Sequence, residues 1–296
     1  MKHKKEWLIA AIVIMGFALM GLFVVLTLVS YSLRDKMELA TPGSKIAVIE
    51  VNGVITSAKS TVRQLKRFGK DATVKGIVLR IDSPGGGVAA SQEIYEHVRR
   101  VKQSGKPIVT SMGTVAASGG YYIALGTQTI MANPGTTTGS IGVIAEIPNF
   151  RKLMEKIGIS FEVIKSGKFK DTGSPYREMT REERGYLQDW VDSSYEQFVQ
   201  AVMTERSLPE AKVRGIADGR VFTGQQAREL ALIDTLGTFD DAVRLAADLS
   251  GIEGEPRIVR ETQRKVTLFD ILSGDVVAFL QDLLGTWPRA KYLLAF

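Results

Sequence analysis

The residues best equipped for chemistry lie in one stretch, Pro107-Ile-Val-Thr-Ser-Met-Gly-Thr-Val-Ala-Ala-Ser118-Gly-Gly-Tyr-Tyr-Ile-Ala-Leu-Gly126. Its start, Ile108 to Met112, reads as a short apolar strand that breaks at Gly113, and a small-residue turn then opens a helix at Ser118. The first turn of a helix gathers unpaired N–H groups and the positive end of the dipole, so a hydroxyl there sits where an anion is stabilised. Ala116, Ala117, Gly119 and Gly120 carry almost no side chain and leave room for an acyl group to approach Ser118. The plainer use of such a serine is as the N-cap of a buried helix.

A second stretch, Ile81-Asp-Ser-Pro-Gly85-Gly86-Gly87-Val-Ala-Ala90, is a glycine turn between a strand and a helix. Gly85, Gly87 and Ala90 fit the G-x-G-x-x-A spacing of a dinucleotide site. That use needs an acid near the end of the following strand, and Thr110-Ser-Met-Gly113 has none. A Walker loop is excluded for want of Gly-Lys-Ser/Thr. What remains is a nest of backbone N–H groups for an oxyanion, each donor being worth about 3–4 kcal/mol in acyl transfer, or a tight turn without chemistry.

A serine nucleophile needs a base. His3 and His97 are the two histidines. His3 is at the extreme N-terminus, and His97 falls far enough into its helix to lie about 14 Å from the glycine turn. No Ser-His-Asp triad is available. A lysine can do the same work if its pKa falls from about 10.4 towards 7, at about 4–5 kcal/mol of burial and dipole cost. Spacing alone selects none, but Ser166-Gly-Lys168-Phe-Lys170-Asp follows a strand on a glycine hinge and could project a lysine into a cleft.

The elements that must position these groups alternate between strand and helix. Strands are expected at Ile46–Val51, Gly76–Asp82, Thr129–Ala132, Ile141–Ile147 and Ile159–Lys165. Helices are expected at Ser60–Phe68, Val88–Gln103, Phe150–Lys156, Thr180–Arg206, Ala227–Leu232 and Asp240–Leu249. Such alternation implies an α/β fold with mainly parallel pairing.

Four blocks, in order, resemble the signal peptide peptidase SppA family: Ser-Pro-Gly-Gly before a helix, Ala-Ala-Ser-Gly-Gly-Tyr-Tyr, Gly-x-Phe-Lys, and Asp218-Gly-Arg-Val-Phe-Thr-Gly224. The resemblance spans roughly Lys45 to Ser250. Ser-Pro-Gly-Gly also marks Clp proteases and crotonases, so the weight rests on all four together. It implies a Clp/crotonase-like α/β fold of repeated ββα units and a Ser-Lys dyad peptidase of the short, single-copy kind. Carried over, Ser118 is the nucleophile and Lys170, not Lys168, the base. The oxyanion donors are the N–H groups of Gly85 or Gly86 and of Gly119, and Ser140 is a hydroxyl that orients Lys170. The implied substrates are remnant signal peptides and other apolar peptides, cleaved without cofactor or metal by a ring or dome of identical subunits. Two rivals use the same features: a crotonase-like acyl-CoA enzyme that does not need Ser118, and a membrane scaffold or a peptidase dedicated to one membrane-protein client.

At the N-terminus, Lys2, Lys4 and Lys5 precede Trp7–Leu33, a run without a charge. About 20 apolar residues span a bilayer. Glu38 spoils the small-x-small pattern of a cleavage site, so the run reads as an uncleaved transmembrane helix. Positive charge favours the cytoplasmic side, which puts the catalytic body outside the plasma membrane. The expected organisation is a cytoplasmic stub and anchor over 1–36, a linker over 37–44, a peptidase domain over 45–250 and a C-terminal extension over 251–296. The net charge of +6 is scattered among acids, so no nucleic-acid partner is expected, and the absence of cysteine removes disulfides and thiolate chemistry. The extension ends in Ala290-Lys-Tyr-Leu-Leu-Ala-Phe296, apolar for a chain end. It is expected either to pack on the body as a helix or to lie extended in a substrate groove.

Overall fold

The computed structural model describes residues 44–261, the backbone of Lys291–Leu293, and Met15 with residues 20–23 in helical conformation. Ser44–Phe296 is one compact unit and Met1–Gly43 another. The expected anchor and linker fall almost wholly outside the described residues. Among the described residues no helix is long and apolar enough to cross a membrane.

The body opens with β1 (Lys45–Asn52), α1 (Lys59–Lys70), β2 (Val74–Ser83), β3 (Gly85–Gly87), α2 (Val88–Gln103), β4 (Ile108–Ala117) and α3 (Gly119–Leu125). β5 (Thr129–Ala132), β6 (Thr137–Gly139), α4 (Arg151–Lys156), α5 (Arg181–Arg206) and α6 (Glu210–Ile216) follow. The chain continues through β7 (Val221–Thr223), α7 (Gly224–Glu229), β8 (Thr235–Leu236), α8 (Phe239–Leu249), β9 (Arg257–Arg260) and β10 (Lys291–Leu293).

The main sheet runs β7-β6-β4-β2-β1-β9, with β5 joined to β4 and β8 to β5. Every pairing in it is parallel except β6 with β7. Ile46, Ala47, Val48, Ile49, Ile77, Val78 and Leu79 are all buried, as continuous apolar runs are when both faces of a parallel sheet are covered. Ile46, Val48, Val78 and Val109 pack with Ala242, Val243, Ala246 and Ala247 of α8. The alternate residues point to the other face, where α1, α2 and α3 meet the strands.

Two expectations fail at β4. The strand does not end at Met112 but runs on to Ala117. Its register against β2 jumps from Ile81↔Met112 to Ser83↔Ala116, so β4 carries a bulge there. Asp82 holds it: its Oδ1 accepts the Val115 N–H at 3.0 Å. A Cβ on Gly113 would lie 2.7 Å from Asp82 Cγ, so the glycine that reads as a strand breaker is a site of close approach.

The strands expected at Ile141–Ile147 and Ile159–Lys165 do not form. Between β6 and α5 the regular structure is α4, which buries no residue. Ile159, Phe161 and Val163 keep the alternation of a strand, yet remain 47, 50 and 52 % exposed. Pattern alone cannot make a strand, because each backbone group needs a partner.

Candidate active site

Ser118 sits where β4 ends and α3 begins, with φ 52° and ψ −116°. That is a costly backbone for a residue with a Cβ, and such strain gathers at functional sites. Its side chain makes no capping bond to α3. The chain caps elsewhere when it needs to, for Thr180, Thr223 and Thr238 each close a full capping box. Ser118 is 1 % exposed. Among the described residues its Oγ is the buried side-chain polar atom without a hydrogen-bond partner. A buried hydroxyl left unpaired costs about 1–3 kcal/mol, so N-capping does not account for this serine.

The surroundings hold the serine rigidly. All of α3 is buried, and the Tyr121 hydroxyl donates to the Leu232 carbonyl at 2.8 Å. Tyr122 meets Phe198 of α5 edge-on at 5.0 Å. The Ser118 N–H donates to the Gly139 carbonyl at 2.8 Å, one step beyond the pair Ala117↔Gly139. Ser140 therefore stands beside Ser118, also at positive φ, and its N–H donates to the Arg220 carbonyl at 2.9 Å. Asp218–Gly224 thus acts as a brace, with β7 lying antiparallel on β6 and Phe222 filling the space that a Cβ on Gly139 would need. Nothing in the spacing of that block disclosed this role.

The glycine turn is itself a strand. One edge of β3 is taken by Ile55, whose N–H donates to the Gly85 carbonyl and whose carbonyl accepts the Gly87 N–H, both at 2.8 Å. The Gly85 N–H donates to Ser83 Oγ at 3.1 Å, while Ser83 Oγ donates to the Gly53 carbonyl at 2.6 Å. Alternation along the strand turns the N–H and carbonyl of Gly86 to the free edge. There β10 lies antiparallel, with Lys291, Tyr292 and Leu293 opposite Gly87, Gly86 and Gly85. The extended form of the tail is the one seen for these three residues. The Gly119 N–H heads α3, where no intrahelical acceptor exists.

The structure does not bring Lys170 to Ser118. Lys170 is exposed in the irregular segment before α5, and among the described residues no amine lies within hydrogen-bonding distance of Ser118 Oγ. Lys168 is paired with Glu182. His97, on the surface of α2, has its Nδ1 2.9 Å from the Glu93 carbonyl. Among the described residues no cluster of side chains suits a metal ion.

The chain matches the family model of peptidase family S49 over residues 100–253. It belongs to that family. The S49 match makes it a serine peptidase, and a Clp protease model also matches, over residues 43–138. It is 50 % identical over 211 residues to slr0021 of Synechocystis, which carries a protease name, covering 71 % of this chain and 76 % of that one. It is 38 % identical to an Enterococcus faecium protein named for signal peptide peptidase SppA, over 71 % of this chain and 65 % of that one. Protease 4 of Salmonella typhi is 32 % identical over 90 % of this chain, which spans only 44 % of that longer protein. These relatives are consistent with the SppA resemblance read from the four sequence blocks.

Proposed function

We propose that this S49 peptidase is anchored by its apolar N-terminal run and cleaves apolar peptides, remnant signal peptides among them, with a Ser118–Lys170 dyad shared between subunits. The observation that carries the reading is the strained, buried and unpartnered Ser118 Oγ at a strand-to-helix junction. An amine supplied by a second copy would satisfy it.

The construction of α5 supports that source. Its C-terminal half packs on the Ser118 helix through Phe198, while Lys170 is mounted beside its N-terminal turn. From Glu183 to Phe198 a helix advances about 22 Å, so the nucleophile and the lysine attach to one strut far apart. The strand-like but unpaired Ile159, Phe161 and Val163, with Ile164 at 96 % exposure, are apolar surface suited to burial against a neighbouring copy.

In the reaction, the unprotonated amine of Lys170 takes the Ser118 proton as Oγ attacks a peptide carbonyl. The N–H groups of Gly86 and Gly119 receive the oxyanion, the Gly85 N–H being committed to Ser83. The ammonium of Lys170 then protonates the leaving amine, and water attacks the acyl-enzyme by the same route in reverse. Ser140, beside Ser118, orients the amine. The substrate lies antiparallel on β3, where β10 lies in this chain. This use of Ser118 separates the reading from an acyl-CoA enzyme or an inert scaffold.

The test uses the full chain in detergent with an apolar fluorogenic peptide. Ser118→Ala and Lys170→Ala are each expected to be inactive, Lys168→Ala active, and a mixture of the two dead variants partly active. A mixture with no activity would sink the shared dyad, and an active Ser118→Ala would sink the peptidase mechanism. A reporter fused after Phe296 is expected outside the cytoplasm; a cytoplasmic signal would overturn the topology.

A further inference from the structure

Residues 167–174 form successive turns, with Lys170 N–H donating to Gly167 O at 3.1 Å, Thr172 N–H to Phe169 O at 3.1 Å and Ser174 N–H to Asp171 O at 3.0 Å. Turns of this kind set a path but not an orientation. The orientation is set by Arg177. Its Nε donates to Asp171 Oδ2 at 2.8 Å and its Nη2 to the Asp171 carbonyl at 3.1 Å. Nη1 reaches Glu183 Oε2 at 2.8 Å and the Glu178 carbonyl at 3.0 Å, and Nη2 also meets Glu183 Oε1. All five N–H groups of the guanidinium are therefore used, in the fixed fork that only arginine has.

The far end of the clamp is firm. Glu183 is 3 % exposed, accepts the Thr180 N–H at 2.9 Å in the capping box of α5, and takes a bond from Thr172 Oγ1 at 3.3 Å. Lys165 Nζ closes the near end on Asp171 Oδ1 at 2.5 Å. Surface pairs such as Arg214–Glu196 join two exposed side chains and fix no loop. Arg177 instead ties the side chain and the backbone of the residue after Lys170 to the buried Glu183 in the first turn of a 26-residue helix.

We propose that Arg177 is a positioning residue: by clamping Asp171 to Glu183 it holds the Lys170 loop in the one orientation from which its amine meets a nucleophile. The proposal rests on Lys170 being the base. Loss of the clamp leaves the peptide-binding edge at β3 intact and misplaces the amine, so the turnover number falls while the Michaelis constant holds. A displacement of about 1 Å costs on the order of 100-fold in rate.

The experiment measures kcat and KM on the apolar fluorogenic peptide, with oligomer mass by light scattering, for the full chain. Arg177→Ala and the isosteric Asp171→Asn are expected to lower kcat about 100-fold, with KM within about twofold and the mass unchanged. Arg177→Lys, with three donors and no fork, is expected to recover only part of the rate. Arg177→Ala and Asp171→Asn at full rate beside a dead Lys170→Ala would overturn the clamp alone. An active Lys170→Ala would overturn the base assignment and the clamp with it. If Arg177→Ala does not fold, Asp171→Asn decides; a loss there that follows loss of oligomer mass, or a rise in KM equal to the fall in kcat, would show a structural role and overturn the proposal.

Discussion

The Ser118 N–H donates to the Gly139 carbonyl across 2.8 Å, and this bond joins the end of β4 to the end of β6 at Ser118, the proposed nucleophile. Both segments turn there, Ser118 at φ 52° and Gly139 at φ 78°. Gly139→Ala would put a methyl group 2.6 Å from the Phe222 ring in a backbone conformation alanine resists. It is expected to cost about 1 kcal/mol or more of stability and to slow turnover more than it weakens peptide binding. Chemical denaturation beside steady-state kinetics checks both, and an unchanged kcat would mean that β6 does not support the nucleophile.

Gly86 has no room for a side chain. A Cβ there would sit 2.2 Å from the Ile55 carbonyl oxygen, a backbone atom that cannot swing aside. Gly86→Ala is expected to shift β3 and the N–H proposed to receive the oxyanion, lowering kcat by about 100- to 1000-fold. Circular dichroism should stay close to the parent spectrum. Full activity would assign the oxyanion to other donors.

Deletion of 291–296 tests the tail. Tyr292 lies opposite Gly86, and on the proposed placement of substrate along β3 the tail would compete with it for one set of backbone groups. The truncated chain is expected to cleave short peptides faster, chiefly through a lower KM, with its oligomer mass intact. Slower cleavage together with dissociation would make the segment part of the assembly instead.

Acid should loosen the lysine loop before it unfolds the sheet. The Arg177 guanidinium, helped by the Thr180 N–H, holds the Glu183 carboxyl down at about 2 from its ordinary 4.5. Arg177 and Lys165 likewise depress Asp171. A depressed carboxyl adds stability that is fully present above its unfolded pKa and is lost as pH falls through its folded value. Glu183→Gln is thus expected to lower the thermal midpoint at neutral pH, by a gap that closes between about pH 4.5 and about 2. A gap independent of pH would deny the charge a role.

A lysine base makes activity rise with pH as well, but in a higher range. kcat/KM is expected to climb from neutral to alkaline pH, since only the unprotonated amine can accept the serine proton. A profile flat over that range, with chemistry rate-limiting, would rule out such a base.

Much of this was legible in the chain itself, because it depends on neighbours in sequence. Strand–helix alternation carried the parallel sheet through β1, β2 and β4, and the 26-residue α5 matches the helix expected over Thr180–Arg206. Ser118 was found from its small neighbours and the helix after it. What sequence could not disclose depends on partners distant along the chain. Gly113 reads as a breaker until Asp82 is seen against it, and Asp218–Gly224 as an isolated block until Arg220 is seen under Ser140. Gly85 and Gly86 look equivalent until Ser83 takes the N–H of one and the N–H of the other is seen to face the edge where β10 lies. The alternation at Ile159–Val163 promised a strand, yet among the described residues no strand pairs with it. A periodic pattern specifies which face is apolar, whereas a strand exists only where another backbone answers its hydrogen bonds, and that is decided by tertiary structure.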